Sequence, residues 1–126
     1  MRILFIGDVV GRPGRRALRR LLPEIQDTHS PELTVVNAEN AAGGFGVTAS
    51  VLDELLGNPQ IDVLTSGNHI WDKPEALQLI DREPRLLRPH NYPEGLRPRY
   101  RSLYRPCYRV PRIMSCFTTL RCKVLD

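Results

Sequence analysis

The sequence predicts a layered α/β fold. Apolar, β-branched runs alternate three times with segments of helical period, short Gly-, Asn- and Asp-bearing loops join them, and each strand-like run ends on a polar cluster. Strands that alternate with helices call for right-handed crossovers and a parallel sheet.

The first strand is read over Arg2 to Gly7, a continuous apolar run of the kind buried on both faces of a parallel sheet. Asp8 to Pro13 is a loop. Gly14 to about Gln26 reads as a helix, with Ala17, Leu18, Leu21, Leu22 and Ile25 at helical spacing and Arg15, Arg16, Arg19 and Arg20 on the other side. Pro23 is expected to end it early. Glu32 to Asn37 is the second strand, rich in β-branched residues. A loop from Ala38 to Val47 follows, carrying Gly43, Gly44 and Gly46. Thr48 is placed to cap a second helix whose apolar face is Val51, Leu52, Leu55 and Leu56, with Gly57 closing it. Ile61 to Thr65 is the third strand. After the exit loop Ser66 to Trp71, Asp72 opens a third helix through about Ile80, with Pro74 and Glu75 in its first turn. Beyond Pro93 the pattern becomes irregular; Cys116 to Leu120 is strand-like but unframed.

At 126 residues the chain holds at most one domain, with 41% hydrophobic and 25% charged residues, as in ordinary globular chains. No run approaches the ~20 apolar residues that span a bilayer, and the first seven residues read as a strand rather than a leader. A cytoplasmic location with no membrane association is the expectation. The three cysteines, Cys107, Cys116 and Cys122, are odd in number and lack CxxC spacing, which argues against a disulfide framework and a zinc knuckle. The net charge of +4 is uneven: residues 1–87 carry nine Lys/Arg against twelve Asp/Glu, and residues 88–126 nine against two. All four tyrosines lie in that second stretch. The composition therefore divides the chain into residues 1–95 and a basic tail, 96–126.

The candidate chemistry lies at the three strand exits. Ligands of open α/β sheets bind at that edge, and oxygen donors mixed with imidazole suit hard or borderline divalent ions. Asp8, after the first strand, is placed either to hold a metal or to cap the following helix. In Asn37-Ala38-Glu39-Asn40, after the second, Glu39 and Asn40 offer adjacent oxygen donors, or a polar Asx-type turn. In Gly67-Asn68-His69, after the third, Asn68 offers an amide oxygen and His69 a proton donor near neutrality. Their coincidence at three equivalent positions favours the metal reading. Gly11-Arg12-Pro13-Gly14 has the look of a small anion nest but lacks the Gly-Lys-Ser/Thr ending of a P-loop. The helix arginines read as a solvated face, Trp71 as a packing residue, and His29 and His90 as loop residues without a chemical role.

The stretches Met1–Gly11, Val36–Gly44, Thr65–Asp72 and Arg88–Pro93 together resemble the calcineurin-like metallophosphoesterases, in the bacterial subfamily that includes 2′,3′-cyclic-nucleotide phosphodiesterases. The resemblance covers about residues 1–95. It implies the N-terminal half of a four-layer α/β/β/α sandwich with a dinuclear metal centre at one edge. In that scheme Asp8, Glu39, Asn40 and Asn68 hold metals, and His69 is catalytic, as general acid or as a group that stabilises the transition state. Two divalent ions (Fe, Mn or Mg) support in-line attack at phosphorus. The implied substrate is a small phosphodiester such as a cyclic nucleotide, with an RNA-related substrate and a homo-oligomer also compatible.

The family pattern continues into a longer second half with further histidine ligands, including a Gly-His-x-His element, whereas this chain has no histidine after His90. The tail is therefore expected to be a truncated or out-of-frame product, and the site incomplete, with low or no turnover. Translating the downstream DNA in the other two frames tests the first point: absence of a Gly-His-x-His segment there excludes it. Two alternatives stand beside this reading. One is a nucleic-acid-binding module in which the basic tail tracks phosphates and its tyrosines stack bases. The other is an inactive fragment with exposed sheet surface.

Overall fold

The computed structural model describes residues 1–89, together with the backbone of short strands at 104–105, 108–109 and 123–125. Strands β1 (Ile3–Ile6), β2 (Leu33–Asn37), β3 (Val63–Thr65) and β4 (Leu86–Leu87) run parallel and are joined by helices α1 (Gly11–His29), α2 (Ala49–Leu56) and α3 (Ala76–Arg82). Strands β5 (Tyr104–Arg105) and β6 (Tyr108–Arg109) pair with each other, and β7 (Lys123–Leu125) runs antiparallel along β1. The main sheet has the order β4-β3-β2-β1-β7. This is the α/β class expected, with each parallel connection made through a helix.

The central strand explains the arrangement. Every residue of β2 is buried, as a strand covered on both faces must be. Alternate residues point to opposite faces, so Leu4, Val36 and Leu64 join the large core under the helices, with Leu18, Leu22, Leu52, Leu55 and Ile80. Leu33, Val35 and Val63 form a smaller cluster on the other face, with Ile3, Phe5 and Leu87 against it.

Several elements depart from the sequence reading, each for a local reason. Helix α1 starts at Gly11 and runs through Pro23 to His29. A proline inside a helix costs about 3 kcal/mol, but here Leu22 is fully buried and Ile25 packs on the core. The Gln26 side-chain amide also donates to Thr34 Oγ1 at 2.6 Å and the Gln60 carbonyl at 3.3 Å, which anchors the turn after the proline. The helix ends at Ser30, in the left-handed region at φ 45°, whose N–H donates back to the Gln26 carbonyl. Only Leu18 and Leu22 of the expected apolar face are fully covered; Ala17 is exposed and Leu21 remains 49% exposed.

The anticipated anion nest is the first turn of this helix, and its N–H groups are committed: Gly11 donates to the Asn40 carbonyl and Gly14 to the Val10 carbonyl. Helix α2 follows expectation, with Thr48 Oγ1 accepting from the Val51 N–H at 3.4 Å. Gly57 closes it in a right-handed conformation, φ −70°, rather than a left-handed one. The third helix is divided. Asn68–Asp72 form a 3-10 turn, and α3 begins only after Pro74. Asp72, expected to cap a helix, is instead taken by His69. Strand β4 was too short to show a period, and β7 lies in the tail expected to be irregular, where it pairs with the outer edge of β1. The strand-like segment 116–120, the 95/96 boundary, and the tail side chains invoked for nucleic-acid binding lie outside the described residues. No helix among the described residues is long and apolar enough to cross a membrane.

Backbone bonds lace the strand exits together. Val9 N–H donates to the Asn37 carbonyl, Ala38 N–H to the Thr65 carbonyl, and Ser66 N–H to the Leu87 carbonyl. Backbone pairing thus continues one residue past β2 and β3 and resumes three residues past β1, at Val9, and it holds the three polar loops side by side.

Candidate metal centre

Asp8 leaves β1 exposed to solvent, and its Oδ2 accepts from the Asn40 side-chain amide at 2.7 Å. That bond spans two strand exits and turns the Asn40 carbonyl oxygen away from the aspartate. Asn40 Oδ1 is buried and has no hydrogen-bond partner among the described residues.

Glu39 is built by the turn that begins at Asn37. Asn37 is buried, and its Oδ1 accepts from the Glu39 N–H at 2.9 Å, an Asx turn that drives the chain sharply off β2. The Glu39 side chain reaches across to β3's exit and lies on the α-carbon of Gly67, where a Cβ would come within 2.6 Å of the carboxyl carbon and closer still to Oε2. Any side chain there would have to displace the carboxylate. Burial, chiefly, and then the negative charge of Asp8 push the Glu39 carboxyl above its ordinary value, against the opposing pull of His69 and of hydrogen bonds from Asn37 and the His69 backbone. Glu39 Oε2 is buried without a partner. Unsatisfied buried acceptors are costly, and two of them, one amide and one carboxylate, stand on adjacent residues beside a second carboxylate.

Asn68 is exposed at the head of the 3-10 turn, next to the glycine on which Glu39 rests. It shares the edge with the other three residues, but its side chain is not bonded to them. His69 is half-buried. Its Nδ1 lies 2.7 Å from Asp72 Oδ2, an arrangement that fixes the ring and its tautomer and leaves Nε2 for other partners. The ring also meets Phe45 edge-on, with centroids 5.2 Å apart.

The donor chemistry fits a divalent cation: two carboxylates and two amides, with two acceptor atoms unpaired among the described residues and a carboxylate disfavoured first by burial and then by a like charge. Among the described residues no group of three His, Cys, Asp or Glu converges to form a cage. The arrangement is an oxygen-rich edge with a single imidazole beside it.

Sequence reading passed over three supporting residues. Asp72 was legible as the carboxylate three positions after His69, within reach in a helical turn. Asn37 was quoted in its motif but not as the residue that aims Glu39. Arg15 was assigned to a solvated face, yet its guanidinium is largely covered and bonds to Glu54 Oε2 at 2.7 Å and the Ala41 carbonyl at 2.5 Å, tying α1 to the glycine-rich loop and to α2. Its helical position gave a signal, since Arg15 lies three residues before Leu18 and seven before Leu22, beside the buried face, while Arg16 and Arg19 point farther out.

Residues 4–107 match the family described as YmdB-like protein. Over 95 residues the chain is 47% identical to the 2′,3′-cyclic-nucleotide 2′-phosphodiesterase of Bacillus subtilis, covering 75% of this chain and 36% of that protein. Two solved structures share the fold. A hypothetical protein from Thermus thermophilus is 42% identical with a TM-score of 0.67, over 75% of this chain and 36% of that one. A Mycoplasma pneumoniae protein described as a novel phosphatase is 28% identical with a TM-score of 0.68, over 75% and 34%. The chain thus spans about a third of the length of the relatives it matches.

Proposed function

The chain belongs to the YmdB-like protein family, and from that premise we propose that it supplies one rim of a divalent-metal phosphodiesterase site. Its substrates would be small phosphodiesters, cyclic nucleotides first among them. The observation that carries this reading is the pair of unpartnered buried acceptors, Glu39 Oε2 and Asn40 Oδ1, beside the Asp8 carboxylate.

Asp8, Glu39, Asn40 and Asn68 would hold the metal, and an Fe, Mn or Mg pair would supply positive charge for the phosphate oxygens and a lowered pKa for the attacking water. The remaining work falls to the chain. Asn40 uses its amide nitrogen to fix Asp8 and keeps its oxygen for the cation. Asn37 and the His69 N–H hold one side of the Glu39 carboxylate and leave Oε2, buried against Gly67, without a hydrogen-bond partner among the described residues. Asp72 holds His69 at Nδ1 and supports its imidazolium form, which carries a second proton on Nε2 that can pass to the oxygen leaving phosphorus and leave the ring neutral, with its remaining proton on Nδ1. The glycine-rich loop brings Phe45 to the same edge and narrows the approach to His69.

Metal binding provides the test. Mn(II) should bind the 126-residue chain saturably, and Glu39→Gln should weaken that binding at least tenfold while the fold survives. Mn(II) affinity unaffected by Glu39→Gln would overturn the assignment. Hydrolysis of 2′,3′-cyclic AMP dependent on added metal, and lost in His69→Ala, would support the reaction itself.

A further inference from the structure

The glycine-rich loop carries an aromatic residue that neither the core nor the metal donors explain. Phe45 is 57% exposed, the most exposed of the large apolar side chains among the described residues. Leaving a phenyl ring in water forgoes its burial energy, and three neighbouring glycines, Gly43, Gly44 and Gly46, take positive φ to present it.

The presenting loop is rigid. Ala42 and Gly46 are tied across Phe45 by the bond from the Ala42 N–H to the Gly46 carbonyl, and Phe45 N–H donates to the Ala42 carbonyl. The loop is also fastened to the metal donors themselves, since Gly44 N–H donates to the Asn40 carbonyl and Gly46 N–H to the Glu39 carbonyl. Gly46 presses against the turn that bears His69: a Cβ there would meet the His69 carbonyl at 3.0 Å and Lys73 Cγ at 2.8 Å. Phe45 is therefore held in fixed register with Glu39, Asn40 and His69, and its ring stands edge-on to the His69 imidazole at 5.2 Å between centroids.

We propose that Phe45 is a specificity-determining residue, the platform on which the base of a nucleotide substrate stacks while its phosphate lies at the Asp8–Glu39–His69 edge. This rests on the phosphodiesterase reading above and deepens it. A flat apolar ring, largely open to solvent and one side-chain contact from the proposed proton donor, matches the separation of base from phosphate by a single ribose. Stacking of this kind is tolerant of base identity, because every base has a π-face. Discrimination would lie between nucleotides and phosphodiesters without a base, rather than among bases.

The test compares two stable product-like ligands, adenosine 3′-monophosphate and ribose 3-phosphate, by calorimetry on the 126-residue chain with Mn(II) present. The unaltered chain should bind the nucleotide about tenfold more tightly than the base-free phosphate. Phe45→Leu should abolish that preference without changing ribose phosphate binding, and Phe45→Trp should preserve it and show quenching of the new indole on nucleotide addition. A preference unchanged in Phe45→Leu, or both ligands weakened alike, overturns the stacking role. Equal binding of the two ligands by the unaltered chain overturns stacking and leaves the phosphodiester reading standing; binding of neither brings down both.

Discussion

Gly67→Ala isolates the metal rim from the fold. The added methyl would lie 2.6 Å from the Glu39 carboxyl carbon and nearer to Oε2, whereas ordinary contact begins at 3.4 Å. The carboxylate must therefore withdraw by most of an ångström or more. Gly67 itself has φ −134°, which an alanine adopts, so no backbone strain adds to the effect. The displaced group is the far end of a flexible side chain, and the folding cost should stay near the low end of overpacking penalties, about 1 kcal/mol. A binding constellation, in contrast, tolerates displacements of only about 0.5 Å. Mn(II) affinity should fall at least 10- to 100-fold, a range typical of losing even the groups that merely support a ligand. Titration of Mn(II) by electron paramagnetic resonance, with a parallel thermal melt, measures both quantities. Unchanged affinity at unchanged stability would refute the claim that Glu39 is a metal donor seated on Gly67. A collapse of the melting transition would refute the claim that the contact is functional rather than structural.

Glu39 also sets a pH dependence of the metal-free chain. A carboxyl raised above its ordinary value of 4.5 binds its proton more tightly folded than unfolded, so its contribution is fully present below 4.5 and is lost as pH rises through the raised folded value. Glu39→Gln should remove that slope and leave the metal-free chain more stable than the parent above the window, as urea titrations at a series of pH values would register. Arg15→Ala should cost about 1–3 kcal/mol, chiefly through the stranded carbonyl of buried Ala41, since the exposed Glu54 carboxylate is resolvated. Arg15→Lys should recover only part of this, since an ammonium cannot serve both partners with the same fork; denaturation midpoints compare the two. Leu64→Ala, at a fully buried position of β3, should destabilise the chain by about 2–5 kcal/mol, and a melting temperature within a degree or two of the parent would contradict the placement of that residue at the centre of the core.

The parallel strands were legible because β-branched runs buried on both faces have few alternatives, and β2 is the clearest case. The capping of α2 by Thr48 was legible for a similarly local reason. What escaped were outcomes decided by tertiary contacts. Pro23 looks like a stop until the anchoring of Gln26 on Thr34 is known. Arg15 flanks the apolar face by its spacing from Leu18 and Leu22, but its partners Glu54 and Ala41 are brought to it only by the fold. Leu86–Leu87 becomes a strand only because Leu64 N–H and Ser66 N–H find carbonyls there. At the proposed metal rim, strand-exit position predicted which loops would meet, and Asp8, Asn40 and Glu39 lie together there. It could not foresee that Glu39 would lie across Gly67, because the reason is the absence of a side chain on another loop.

The backbone hydrogen bonds that run beyond β1, β2 and β3, through Val9, Ala38 and Ser66, give the proposed rim a lattice constant. Strands in a sheet repeat about every 4.8 Å, so the pitch between successive donor loops is inherited from backbone pairing and is independent of what the donors are. Chemical identity and location are thereby separable variables: exchanging Asn40 for Asp, or Asn68 for His, would retune hardness and charge at a coordinate that the sheet, not the side chain, has already chosen. A scaffold of this kind invites cation preference to drift while the place of reaction stays put.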